Sequence, residues 1–151
     1  MMKKMVVLGS ILIASMLSGC FFVTETIVCT KDGNESGMDS TQRIEAVFKS
    51  KKVQTLTLDV TVDLSKQPDS MIGVAKSVLE STYGDMKAEG IQTSVKQEDK
   101  KIHVNIDLDF EKASKDSLEK VDSNFAKSKG QKVDTSEFIK ELEDEGYKCE
   151  K

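Results

Sequence analysis

The side chain best placed for chemistry in this sequence is the thiol of Cys20. It follows Leu17-Ser18-Gly19 directly. Small residues at 18 and 19 let the backbone enter a peptidase site inside a membrane, and the thiol there is a nucleophile able to take a diacylglyceryl group. Two other cysteines remain, Cys29 and Cys149. An oxidising compartment permits them to pair, and two cysteines leave no third one unpaired. A disulfide between them is expected, with two packed free thiols as the alternative. His103 is the only histidine, so a zinc set of three or four ligands is not within reach and no cofactor is expected.

Four carboxylates form the second group of interest: Asp59, Asp63, Asp107 and Asp109. Each falls on the polar phase of an alternating run. If those two runs are neighbours in one sheet, the four acids make an acidic patch, and such a patch could take Ca²⁺ or a cationic partner. Solvated acids interleaved with Thr57, Thr61 and nearby lysines are the plainer expectation. His103 lies on the same polar phase, with no Ser or Cys spaced to act with it, so no catalytic residue is assigned.

These groups need elements to hold them. Lys3 and Lys4 form a basic start, and Met5 to Leu17 is an uncharged, largely apolar stretch of 13 residues. A helix of that length spans about 20 Å, short of the roughly 20 residues that cross a bilayer core. It has the layout of a secretory signal. With Leu17-Ser18-Gly19-Cys20 behind it, the segment resembles a bacterial lipobox. An uncleaved anchor is the competing reading, since Phe21, Phe22 and Val23 prolong the apolar run. The expected organisation is a signal peptide over 1–19, a lipidated cysteine and short tether over 20–22, and one extracytoplasmic domain over 23–151. Two or three acyl chains on Cys20 anchor such a chain stably to the cell membrane, where one is marginal. Strand-like sequence starts at about Val23, which predicts a domain riding close to the lipid.

Composition limits the partners. The chain carries 26 acidic and 22 basic residues, a net charge of −4. Processing removes only Lys3 and Lys4, which leaves 20 basic against 26 acidic residues, net −6. Phosphates repel such a domain, so nucleic acid is excluded as a partner. Net charge likewise gives the domain no reason to lie flat on anionic lipid.

Period-two alternation is the clearest structural signal. Leu56, Leu58, Val60, Val62 and Leu64 share one phase of a strand, and Ile102, Val104, Ile106, Leu108 and Phe110 share one phase of another. Weaker strands are expected at Val23 to Thr30, at Arg43 to Lys49 and at Ile91 to Val95. Asp32 to Gly37 is expected to be a flexible loop. Ser50-Lys51 and Glu98-Asp99-Lys100 suit hairpin turns. Apolar stripes predict helices from Ser70 to about Lys87, from Ser114 to Phe125, and from Thr135 to Glu145, the last capped by Asp134 and stopped by Gly146. The order is β-β-β-α-β-β-α-α with an extended tail at Tyr147 to Cys149. The fold class is α+β, an antiparallel sheet of about five strands with helices on one face.

That layout carries a resemblance. A lipobox precedes Ile27-Val28-Cys29-Thr30-Lys31, then Val47-Phe48-Lys49 before a lysine-rich turn and Val53. A helix, an alternating strand pair and a closing helix follow, ending in Glu145-Gly146-Tyr147-Lys148-Cys149. The chain resembles the small YehR-like lipoproteins, a family without an assigned activity. The resemblance implies a lipoprotein with an α+β domain and implies no catalytic residues. The expected role is a non-enzymatic binding or interaction module of the cell envelope, acting on an unidentified envelope protein or ligand. A small-ligand or divalent-cation sensor is the alternative.

Overall fold

The computed structural model describes residues 23–151 except Ser36 and Asp85. The lipobox and signal-peptide assignments at 1–22 lie outside the described residues.

Among the described residues, six strands and four helices follow one another as β1 (Thr24–Glu35), β2 (Met38–Lys49), β3 (Lys52–Asp63), α1 (Asp69–Tyr83), β4 (Ile91–Glu98), β5 (Lys101–Asp109), α2 (Lys115–Val121), α3 (Ser123–Ser128), α4 (Thr135–Asp144) and β6 (Lys148–Glu150). All pairings are antiparallel, in the order β4-β5-β3-β2-β1-β6. The sixth strand is the expected extended tail, which pairs with β1 at the sheet edge.

Alternation fixes the register. Ile27, Ala46, Leu56, Leu108 and Ile91 stand side by side across five strands, and all are buried. The next row runs Cys149, Cys29, Ile44, Leu58, Ile106 and Thr93. A slip of one residue would send every one of these side chains to the polar face. Two-residue loops close the β2–β3 and β4–β5 hairpins. Ser50 and Lys51 both take positive φ, 52° and 64°, which is the backbone of the tight turn matching strand twist, here without the usual Asn-Gly.

Three expectations need correction. Asp32 to Glu35 is not a loop: β1 continues to Glu35 opposite Met38. Both phases are polar there, so the pairing rests on the backbone ladder and on cross-strand bonds such as Thr41 Oγ1 to Asp32 Oδ1 at 3.0 Å. Secondly, α1 ends at Tyr83 rather than near Lys87, with the N–H of Gly84 donating to Glu80. Thirdly, the 114–125 helix is two helices. Asp122 is extended (φ −159°, ψ 133°) and accepts from the N–H of Asn124, so it ends α2 and caps α3.

Both ends of α4 follow the sequence reading closely. Asp134 accepts from the N–H groups of Ser136 and Glu137. Gly146 takes φ 94°, with Gly146 N–H donating to Glu143 and Tyr147 N–H to Leu142. This double bond pattern turns the chain sharply out of the helix, and so delivers Tyr147 and Cys149 to the edge of β1. Cys29 and Cys149 face each other there and are bonded. The sheet, its apolar clusters and the disulfide, as described, lie between Thr24 and Glu150.

Candidate functional site

The sheet has a bare polar face and a face carrying the helices. On the bare face β3 and β5 are neighbours, so the four acids do share a surface. They do not converge. Asp109 sits opposite Thr55 and Asp63 opposite Lys101, eight ladder positions or roughly 25 Å apart. Each acid is held by its own non-acidic partner. Thr57 Oγ1 donates to Asp107 at 2.8 Å and Asn105 Nδ2 to Asp59 at 2.8 Å. Ser65 donates both its hydroxyl and its N–H to Asp63, which holds that carboxyl below its ordinary value. At Asp109 burial pushes upward, but the bonds from Lys112 and the N–H of Glu111 outweigh it and the carboxyl again sits low. Such carboxylates are stabilised as single anions. Among the described residues no group of three or more His, Cys, Asp or Glu side chains could hold a metal ion.

His103 does find a hydroxyl, which the sequence spacing did not suggest. Its Nδ1 lies 3.0 Å from Thr61 Oγ1, and its Nε2 3.9 Å from Glu98. The order hydroxyl, imidazole, carboxylate is that of a nucleophilic relay. Acyl transfer also needs free N–H donors aimed at a developing oxyanion. Around Thr61 the backbone is committed to the paired ladders of β2, β3 and β5.

The helix face is covered unevenly. α1 packs on β4 and β5. α4 packs on β1 and β6, and its Phe138 meets Phe48 of β2 edge-on at 5.4 Å between ring centres. Between these covers the middle of the sheet is left partly exposed at Ile44, Leu58 and Val60. The result is an apolar groove of about 310 Å³, with Leu58 and Val60 on its floor and Leu79, Tyr83 and Tyr147 on its walls. Its polar rim is small. The Tyr147 hydroxyl donates to Gln42 Oε1 at 2.6 Å, and the Lys31 ammonium stands 5.4 Å from the Tyr147 ring centre. Burial, and then the charge of Glu145, raise the Tyr147 pKa.

α1 also carries a second, exposed apolar flank. Asp69 bonds Lys100 at 3.0 Å, and Asp69 and Gly73 line a hollow with Gln97 of β4, so that flank faces the outer edge of the sheet. At 100° per residue the opposite flank carries Met71, Val74 and Val78, and these are 47, 59 and 56% exposed. The sequence pattern puts Ile72, Ala75, Leu79 and Met86, with Val78 and Tyr83 nearby, on one apolar stripe; Val78 is instead exposed together with Met71 and Val74, a second stripe that the pattern did not single out. Gln42 was also missed, since it lies before the expected start of β2. Among the described residues no helix is long and apolar enough to cross a membrane.

No family model matches the chain, and no curated protein matches it. Two solved structures are similar in fold. One is the NMR structure of the Escherichia coli YehR protein, 18% identical, covering 81% of this chain and 88% of that one with a TM-score of 0.53. The other is the NMR structure of a protein from Streptococcus pneumoniae TIGR4, 16% identical, covering 85% of this chain and 86% of that one with a TM-score of 0.55. At such identities the likeness is one of fold, and it agrees with the resemblance seen in the sequence: over most of its length this chain is folded like YehR.

Proposed function

We propose that this chain is a bacterial lipoprotein, cut before Cys20 and acylated there, that works as a non-enzymatic binding module on the outer face of the cell membrane. The lipid reading rests on the basic start, the 13-residue apolar stretch and the Leu17-Ser18-Gly19-Cys20 sequence. The binding reading rests on one observation, the open apolar groove over Leu58 and Val60. Protein interiors rarely leave the middle of a sheet uncovered, and an apolar concavity with a few polar rim groups is the usual form of a recognition site.

Mass spectrometry of the mature protein tests the first half. Acyl mass on Cys20 is expected, and a mature chain without it sinks the lipoprotein reading. An apolar fluorophore such as anilinonaphthalene sulfonate tests the second. It is expected to bind saturably, and Val60→Gln is expected to weaken it by about tenfold, the equivalent of losing one buried valine contact. Thr55→Gln, on the same strand but the other face, is expected to change nothing. Equal affinities in the two variants would remove the groove from consideration.

A second reading, a carrier or sensor of a small apolar ligand, is favoured by the groove's volume, which matches the small end of ligand sites. Native mass spectrometry separates the two, because only a carrier retains a defined small mass.

A further inference from the structure

The net negative charge of the domain is unevenly placed. Two lysine runs far apart in sequence meet at one end of the sheet. Lys49, Lys51 and Lys52 surround the β2–β3 turn, and the N–H of Val133 donates to the carbonyl of Lys51 at 2.7 Å, which brings Lys132 beside them. Lys51 and Lys132 line the same hollow of about 620 Å³ as Val23. All four lysines are exposed. Two acids line the same hollow: Glu25, which pairs with Lys151 at 3.2 Å, and Asp134, which caps α4 through the N–H groups of Ser136 and Glu137 and also lies near the Lys51 charge. The opposite end carries Glu35, Asp39, Asp63, Asp69, Glu98 and Asp99 against Lys66, Lys100 and Lys101. Twelve-residue strands separate the two ends by roughly 35 Å.

The chain begins its fold at the lysine end. The N–H of Ser50 donates to the carbonyl of Val23 at 3.2 Å, and Val23 is 71% exposed. Cys20 is three residues earlier, and three residues span at most about 10 Å however they are arranged. A lipid on Cys20 therefore holds Val23, and with it the β2–β3 turn, within about 10 Å of the headgroups, close to one Debye length, and in an upright domain the acidic end stands several Debye lengths away.

We propose that Lys49, Lys51, Lys52 and Lys132 form a docking surface for anionic phospholipid headgroups, which sets the domain upright on the membrane with its acidic end outward. The groove then opens on the side of a standing domain, clear of the lipid. The proposal rests on the anchor reading, and it adds an orientation to the expectation that the domain does not lie flat on anionic lipid.

The test separates the two. Cys29 and Cys149 are bonded, so in residues 20–151 the Cys20 thiol is the single free one and can be coupled to a maleimide lipid whether or not the cell acylates it. The chain has no tryptophan, so Gln131→Trp beside Lys132, or Gln97→Trp at the far end, supplies one reporter. In vesicles of brominated phosphatidylglycerol the Gln131→Trp reporter is expected to be quenched and the Gln97→Trp reporter not. Each lysine changed to glutamine is expected to shift the docked-to-undocked ratio by about fivefold, so Lys51→Gln with Lys132→Gln should abolish most quenching, as should about 0.5 M salt. Equal quenching of the Gln131→Trp reporter in brominated phosphatidylcholine, or no response to the lysine changes, would overturn the docking surface and leave the anchor untouched.

Discussion

The same face of the same sheet is closed at one end and open at the other. Towards the lysine end, Phe48, Leu56, Leu108 and Phe110 are sealed under α2, α3 and α4, with Leu118 fully buried and Phe110 edge-on to Phe125 at 6.2 Å. One or two ladder rows further along, Ile44, Leu58 and Val60 are just as apolar and in the same phase, yet partly exposed. The strands are equally suited to burial in both places. What differs is the cover. Three helices converge on the first region, whereas over the second α1 leans to the β4 edge and Tyr147, delivered by the Gly146 turn beside Lys31, reaches in from the other side. Coverage, rather than strand pattern, decides whether an apolar row becomes core or site.

Breaking the link between the two regions should have the largest effect. The Cys29–Cys149 bond ties β6 to β1 across a separation of 120 residues, and in the chain-entropy account such a loop contributes about 4–5 kcal/mol. Cys29→Ser with Cys149→Ser is expected to lower stability to denaturant by that order. It should also free the three-residue β6 and with it Tyr147, so fluorophore binding at the groove should fall in the surviving folded protein. Unchanged binding after reduction would mean that Tyr147 is not a working wall.

Next in size is a matched pair of truncations. Leu118→Ala in the closed region removes a fully buried side chain and is expected to cost about 3 kcal/mol. Leu58→Ala on the groove floor is expected to cost about 1 kcal/mol, because solvent already reaches the site and no sealed cavity is left. Urea unfolding of the two variants measures the difference directly. Equal losses would show that the groove is closed in solution.

This pair also marks how far the sequence could be read. Strands β3 and β5 were legible because five apolar residues alternate strictly through each and one position past it, and β1 beyond Asp32 was not, because Asp32 and Asn34 fill one of its phases and Gly33 and Glu35 the other. Asp122 hid a helix break, since a polar residue at one position of a helical stripe does not interrupt the stripe. The pairing of Cys29 with Cys149 was legible by elimination among three cysteines. The groove was not legible at all. Period two tells which face Leu56, Leu58 and Val60 share, but not which of them a helix will reach; that depends on the tilt and length of α1 and on a turn at Gly146 some 70 residues later in the chain. The acids were legible as a polar row, and only the ladder offset between Asp63 and Asp109 showed that they are spread along it.

The smallest expected effect is a pH dependence confined to the open region. Burial, and then Glu145, raise the Tyr147 pKa above its ordinary value of 10.0. A group whose folded pKa is raised contributes stability that is complete below the unfolded value and is lost as pH climbs through the folded one. Stability should therefore hold to about pH 10 and decline beyond it. The ionised phenolate could no longer donate to Gln42, so the groove wall should loosen over the same range. Tyr147→Phe keeps the ring against Lys31 but has no proton to lose, and it should remove that part of the alkaline decline while leaving the closed region as stable as before. If the decline persists unchanged in Tyr147→Phe, the alkaline sensitivity belongs elsewhere in the chain, and the hydroxyl is a rim contact with no part in holding the wall.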